Sequence, residues 1–306
     1  MNHNIQNALK RISMILLMVS LIPFFACSPS EKKVTETPVA DDNPVFSKDN
    51  LIAWCVVPFD SEKRGPQERA KMLKDLGITM LAYDWRDEHI PTFDEEYEAL
   101  TANGIRLQSF WMMSGHDPEN DTRVQTVFDF IERNEVETEI WLLVEEGEDF
   151  NALSQEEKVT AMAKPIRYVA DRAAANGCKV ALYNHGNWFG EPENQMAIID
   201  YLDLDNVGMV FNFHHAAPYQ ERFSEFFPKI KPHLYAINLA GLKKGDTGKF
   251  YGVGEGDSEY VMIETILNSD YQGPIGIINH DTERDAEVGL ETEMAGLDKV
   301  LQTVKE

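Results

Sequence analysis

The chain is short of cysteine and short of positive charge. Three cysteines in 306 residues cannot build a disulfide framework. Lysine and arginine total 28 against 52 aspartates and glutamates, a formal charge of −24. Binding to nucleic acid needs clustered cations against phosphate, so that class of partner is excluded. No H-x-x-H or HExxH spacing offers a ready-made zinc site. No glycine-rich phosphate turn follows the first apolar run, which argues against an open, doubly wound dinucleotide-binding sheet.

Long apolar runs are equally scarce. The one near the start, Ile12 to Phe25, follows Lys10 and Arg11 and precedes the small residue Ala26. A basic segment, an apolar segment and a cleavage site read as a secretory signal over residues 1–26, not as a membrane span. The cysteine placed just after it resembles a bacterial lipoprotein signal, with Cys27 as the lipidated first residue. The expectation is therefore an exported protein held at a membrane only by a lipid anchor on Cys27. Residues 27–49 are polar, carry Pro29, Pro38 and Pro44, and have no hydrophobic period, so they read as a tether. Cys55 and Cys178 lie beside apolar runs and read as buried free thiols.

What the chain does have, from Leu51 to its end, is a repeated grammar of apolar run, polar loop and amphipathic stretch. The predicted strands are 51–57, 78–83, 105–111, 140–144, 180–182, 207–211, 234–237 and 275–278. A helical pattern follows each of them. The longest, 156–176, contains Pro165, which predicts a kink or break. Unbroken apolar strands suit a parallel sheet covered by helices on its outer face. Eight strand–helix units over residues 50–306 predict a (β/α)8 TIM barrel.

In such a barrel all the strand ends face one mouth, where the chemistry sits. The candidates gathered there are Asp84, Trp85, Trp111, Glu145, Asn184, His185, Trp188, Glu191, Asn212, His214, His215, Asn238 and His280. Histidine exchanges protons near neutrality, and asparagine hydrogen-bonds hydroxyls. Tryptophan supplies an apolar wall for a sugar ring. Each also has a bland reading: a hydrogen-bonded structural histidine, an asparagine tying down a loop, a core tryptophan. Glu145 or His185 is the candidate base, with His215 or His280 as the opposing acid. Asp84, Trp85, Trp111, Asn184, Trp188, Glu191, Asn212, His214 and Asn238 are candidate substrate contacts. Glu145, His185, His215 and His280 could also make a zinc site. The loop from Gly252 to Gly256 has free amides ahead of a helix, a phosphate-friendly pattern, yet it carries Glu255.

Four stretches carry a family resemblance: Ala181-Leu-Tyr-Asn-His-Gly-Asn-Trp-Phe-Gly-Glu-Pro192, Asn206-Val-Gly-Met-Val-Phe-Asn-Phe-His-His215, Gly252-Val-Gly-Glu-Gly-Asp257 and Tyr271-Gln-Gly-Pro-Ile-Gly-Ile277. With them the chain resembles the xylose-isomerase-like TIM barrels known as sugar phosphate isomerases/epimerases, in a secreted branch. The resemblance implies a small sugar or keto-sugar substrate and proton abstraction next to a carbonyl. The alternative is a non-catalytic carbohydrate-binding lipoprotein on a degenerate barrel. Members of the family bind a divalent metal with a Glu after strand five, an Asp after strand six, a His after strand seven and a Glu after strand eight. Here Tyr183, Asn212, Asn238 and Ile278 or Asn279 stand at those positions. The set lacks the carboxylates that would hold a hard cation, so a divalent metal is not supported by the family's ligands.

Overall fold

The computed structural model describes residues 44–246 and 249–306. The expected signal segment, Cys27 and most of the expected tether lie outside the described residues. Residues 44–49, also expected as tether, belong to the folded body: Val45 and Phe46 are buried, and the Asn50 side-chain amide donates to the carbonyls of Val45 and Gly273.

Eight parallel strands close into a barrel in sequence order. They are β1 (Leu51–Trp54), β2 (Met80–Tyr83), β3 (Arg106–Ser114), β4 (Glu139–Val144), β5 (Lys179–Tyr183), β6 (Val207–Asn212), β7 (Leu234–Asn238) and β8 (Ile275–Ile278). Closure is made by β1 pairing with β8, Leu51 opposite Ile275 through Trp54 opposite Ile278. The helices are α1 (Pro66–Leu76), α2 (Phe93–Ala102), α3 (Thr122–Asn134), α4 (Gln155–Ala175), α5 (Pro192–Leu202), α6 (Phe223–Ile230), α7 (Glu259–Leu267) and α8 (Ala286–Lys305).

Local chemistry sets the boundaries. Proline opens α1 and α5, where a missing N–H is harmless. Gly77 ends α1 in the left-handed conformation. Ser154 caps α4 in a reciprocal box with Glu157. The expected break at Pro165 does not occur, and α4 runs through it as one helix of 21 residues. Its buried face, including Val159, Met162, Ile166 and Val169, offsets the single hydrogen bond that proline removes. β1 is shorter than expected because Cys55 has φ 57, which ends the extended run.

The barrel interior is a packed core. Trp54 and Trp141 meet edge to face at 5.0 Å, and Trp141 stacks on Tyr183 at 6.4 Å. These three rings plug the barrel, and Trp54 and Tyr183 form the floor of the cavity above them.

Candidate functional site

Above that aromatic floor is a cavity of about 90 Å³, or about 470 Å³ when the open space of its mouth is included. It lies at the C-terminal ends of the strands, and its walls are the first residues of the loops that follow. Strand alternation decides which side chains reach it, because residues i and i+2 share a face. After β5, Tyr183 and His185 face the cavity. After β2 it is Asp84 and Arg86, and after β8 it is Ile278 and His280. β1 supplies Trp54, then Cys55 and Phe59, while β3 supplies Trp111.

β6 contributes most. The Asn212 side-chain oxygen accepts from the His214 amide at 2.9 Å, fixing a 3-10 turn over Phe213–His215 that swings both imidazoles into the cavity. The same asparagine donates through Nδ2 to the Tyr183 hydroxyl at 2.6 Å, and that hydroxyl lies 3.4 Å from His215 Nε2. Asn212 therefore ties two strand ends together and sets the position of His215.

Four imidazoles meet ring to ring. Centroids are 4.3 Å apart for His185 and His215, 4.8 Å for His214 and His215, and 4.9 Å for His214 and His280. Burial disfavours the imidazolium and each ring would repel a charged neighbour. Burial, with these repulsions added, lowers His215 to about 2 and His214 to about 4. His185 and His280 are also lowered, chiefly by burial. At neutral pH the cluster is uncharged and able to hydrogen-bond hydroxyls; His214 and His215 are weak bases there, which leaves His185 and His280 as the rings that can take a proton.

Asp84 is the opposite case. It is 3% exposed, and neither carboxyl oxygen has a hydrogen bond of good geometry. Burial raises it from an ordinary 3.8 to about 7, with the charge of Arg86 and the Val57 amide offsetting part of the rise. Beside it the buried Cys55 thiol is pushed up by burial and by Asp84, so it stays protonated. The Tyr183 phenol is likewise raised by burial.

The expected group is thus divided. Asp84, Trp111, His185, Asn212, His214, His215 and His280 line one cavity. Glu145 does not: it turns to the rim, where Arg123 donates to it at 2.6 Å, and with His185 it borders a neighbouring groove instead. Trp85 falls on the other strand face, buried against Phe93, with its indole donating to the Trp111 carbonyl at 2.8 Å. Asn184 is fully buried and spends its amide on the backbone of Asn212, accepting at 2.7 Å and donating at 3.1 Å. Trp188 donates to Gln155 and packs on Phe150. Glu191 precedes α5 and pairs with Arg222 at 2.5 Å. Asn238 is buried over Gly276, where any Cβ would collide with its oxygen. Arg86, Cys55 and Phe59 join the cavity without having been expected. Parity with Asp84 is the signal that could have found Arg86.

The glycine loop holds no room for phosphate. Glu259 accepts from the amides of Leu242, Gly254 and Gly256 at 3.1, 3.2 and 2.9 Å. Glu293 accepts from Val253, and Glu255 from Gly252. Gly254 has φ 82, and a Cβ on Gly256 would lie 2.3 Å from Glu259. The free amides that looked phosphate-friendly are filled by the protein's own carboxylates.

The residues at the family's metal positions do not fit a hard divalent cation. Tyr183 is a phenol engaged by Asn212. Asn279 turns away to the Phe59 carbonyl and Arg284. Asn212 and Asn238 bring no charge. Among the described residues no three His, Cys, Asp or Glu side chains are arranged to hold a metal ion.

A family model described as xylose isomerase-like TIM barrel matches residues 55–300. Among solved structures, 3-keto-D-glucoside 4-epimerase from E. coli superposes with a TM-score of 0.62 at 15% identity, covering 83% of this chain and 100% of that one. The IOLI protein, solved with a zinc atom, gives 0.61 at 15% identity over 83% of this chain and 98% of its own. D-psicose 3-epimerase from Clostridium cellulolyticum H10, solved with D-tagatose, gives 0.57 at 14% identity, with 83% and 99% covered. At such identities the likeness is one of fold. No curated protein matches the sequence.

Proposed function

The chain belongs to the xylose isomerase-like TIM-barrel family, and from that premise we propose that its barrel mouth binds a sugar or keto-sugar and moves a proton on the carbon next to the carbonyl. The observation that carries this reading is the pairing, in one cavity, of neutral imidazoles with a buried carboxyl group that keeps about half its protons near pH 7. Structures of a 3-keto-D-glucoside epimerase and a D-psicose epimerase on the same fold support the substrate class.

The chemistry needs a base and a donor for the developing enolate oxygen. His185, at the solvent-reachable rim, takes the proton from carbon. The electron pair moves into the new carbon–carbon double bond as the carbonyl oxygen gains the Asp84 proton. Return of a proton to the same carbon from the opposite face, given by the Tyr183 hydroxyl, epimerises it; Asp84 takes its proton back from the enol oxygen, and the proton left on His185 passes through His215 to restore the phenol. Return to the former carbonyl carbon isomerises the sugar, and loss of a β-substituent gives elimination. Trp111 walls the ring, and His214 and His280 hydrogen-bond hydroxyls. None of these steps is drawn through a metal ion.

A second reading, a sugar-binding barrel without catalysis, is favoured by the loss of carboxylates at Tyr183, Asn212 and Asn238. One assay separates the two. The protein is incubated with keto-sugars in deuterium oxide, and carbon-bound deuterium is followed by NMR. Uptake that disappears in His185→Ala supports catalysis, whereas tight binding with no uptake supports the binding-only reading. We also propose export with a lipid on Cys27, tested by incorporation of labelled palmitate in cells. A Cys27→Ser chain that still takes up label refutes that anchor.

A further inference from the structure

Arg86 stands at the cavity mouth in an unusual electrostatic position. The chain carries 52 acidic residues against 28 basic ones, and arginines such as Arg64, Arg123, Arg133 and Arg222 are all paired with carboxylates. Arg86 forms no ion pair with any described residue. Its guanidinium carbon lies 5.7 Å from the Phe59 ring centre and 5.8 Å from that of Trp111, so aromatic rings flank it. One N–H is used, donated to the Trp85 carbonyl at 2.7 Å. A guanidinium has five donors in a rigid plane, so most of the fork is left for a ligand.

The rest of the cavity sharpens this. Its imidazoles are neutral, and Asp84 is held protonated up to about pH 7. Arg86 is therefore the one lining group with a permanent charge, and its field reaches Asp84 and His280. Arg86 itself is exposed at the mouth, where water meets its charge until a ligand covers it, so a ligand bringing its own anion replaces that water with a paired contact.

We infer that the ligand of this cavity is a sugar acid, whose carboxylate is bound by Arg86. The inference rests on the reading of the mouth as a sugar site and narrows it. A planar monoanion matches a single planar guanidinium, two parallel N–H to O bonds at once. Phosphate fits less well: it carries up to two charges against one cation, and the loop with phosphate-friendly amides is filled by Glu255, Glu259 and Glu293. Arg86 is thus a specificity-determining residue.

The test is binding alone, by isothermal titration with D-glucuronate, D-galacturonate, their neutral parents and D-glucose 6-phosphate. At least one uronate should bind 10-fold or more tighter than its parent sugar, and the preference should weaken as salt is raised. Arg86→Gln should erase the preference, weakening the uronate at least 10-fold more than its parent sugar. Its melting temperature should match the wild type, since no ion pair is lost. Equal binding of acid and parent overturns the inference, as does binding of neither, or a preference that survives Arg86→Gln. Tighter binding of the phosphate than of any uronate overturns the carboxylate assignment. Because no turnover is read, a protein that discriminates acids yet shows no deuterium exchange refutes the catalytic reading and leaves this one standing.

Discussion

Two buried carboxyl groups, Glu259 in the glycine loop and Asp84 at the barrel mouth, show how differently one molecule treats the same chemistry. Both are withdrawn from water, and burial raises both. Glu259 accepts from three backbone amides. Asp84 has no hydrogen bond of good geometry to either oxygen. The first carboxylate completes a loop, and glycines keep its space clear. The second is left with a mobile proton facing a cavity. Burial alone does not distinguish a structural acid from a functional one; the donors around it do.

The largest effect that can break this contrast is at the satisfied group. Glu259→Ala leaves three amides without an acceptor, and the loss is expected to be about 3–6 kcal/mol in urea denaturation. An unchanged midpoint would mean that the loop holds itself.

At the unsatisfied group the sign reverses. Well below its ordinary value of 3.8, Asp84 is protonated in both the folded and the unfolded chain, so it has no effect on the balance. As pH rises towards the folded value of about 7, only the unfolded chain ionises, and folding loses up to about 4 kcal/mol. Asp84→Asn should therefore melt near the wild-type temperature at pH 4 and above it at pH 8. The gain should grow between those values and then level off. A gain that does not vary with pH would show that Asp84 is solvated.

The histidines run the other way. A lowered imidazole has no effect above its ordinary value near 6.5 and destabilises as pH falls, because the unfolded chain protonates first. For His214 the window extends from about 6.5 down to about 4. Replacing it by a neutral isostere, His214→Asn, should flatten the acid limb of stability by about 2 kcal/mol after allowance for its partial exposure. Melts between pH 4 and 7 would read this directly. An acid limb as steep as before would assign the loss to other groups.

How much of this could be read from residues alone depends on what each residue is asked to do. The barrel was legible because it is written many times over: apolar strands such as Val180–Leu182, turn glycines such as Gly77, prolines at the first turn of α1 and α5. The mouth was legible as a set of strand ends, which brought Asp84 and the histidines together. Direction was not. Trp85, Asn184 and Asn279 each sit one residue from a cavity residue, and the strand's alternation turns them onto helices or backbone. Applying that alternation would have removed them and added Arg86. It would not have removed Glu145, which continues the inward face of Trp141 and Leu143. There a partner on a different unit decides the outcome, and pairings 22 residues apart leave no periodic trace.

That partner supplies the smallest and most discriminating test. Arg123 reaches Glu145 at 2.6 Å but is also held by Asp121 at 2.7 Å, and the Glu145 side chain is 46% exposed. An exposed pair of this kind contributes about 0–1 kcal/mol, and removing one member leaves no buried charge behind. Glu145→Gln should accordingly shift the urea midpoint by under about 1 kcal/mol. It should leave deuterium exchange within about threefold, since a group outside the cavity cannot take the proton in the transition state. A fall of about 100-fold or more with stability intact would instead mean that the β4 loop swings Glu145 inward when substrate binds, and the base would then be a carboxylate and not His185.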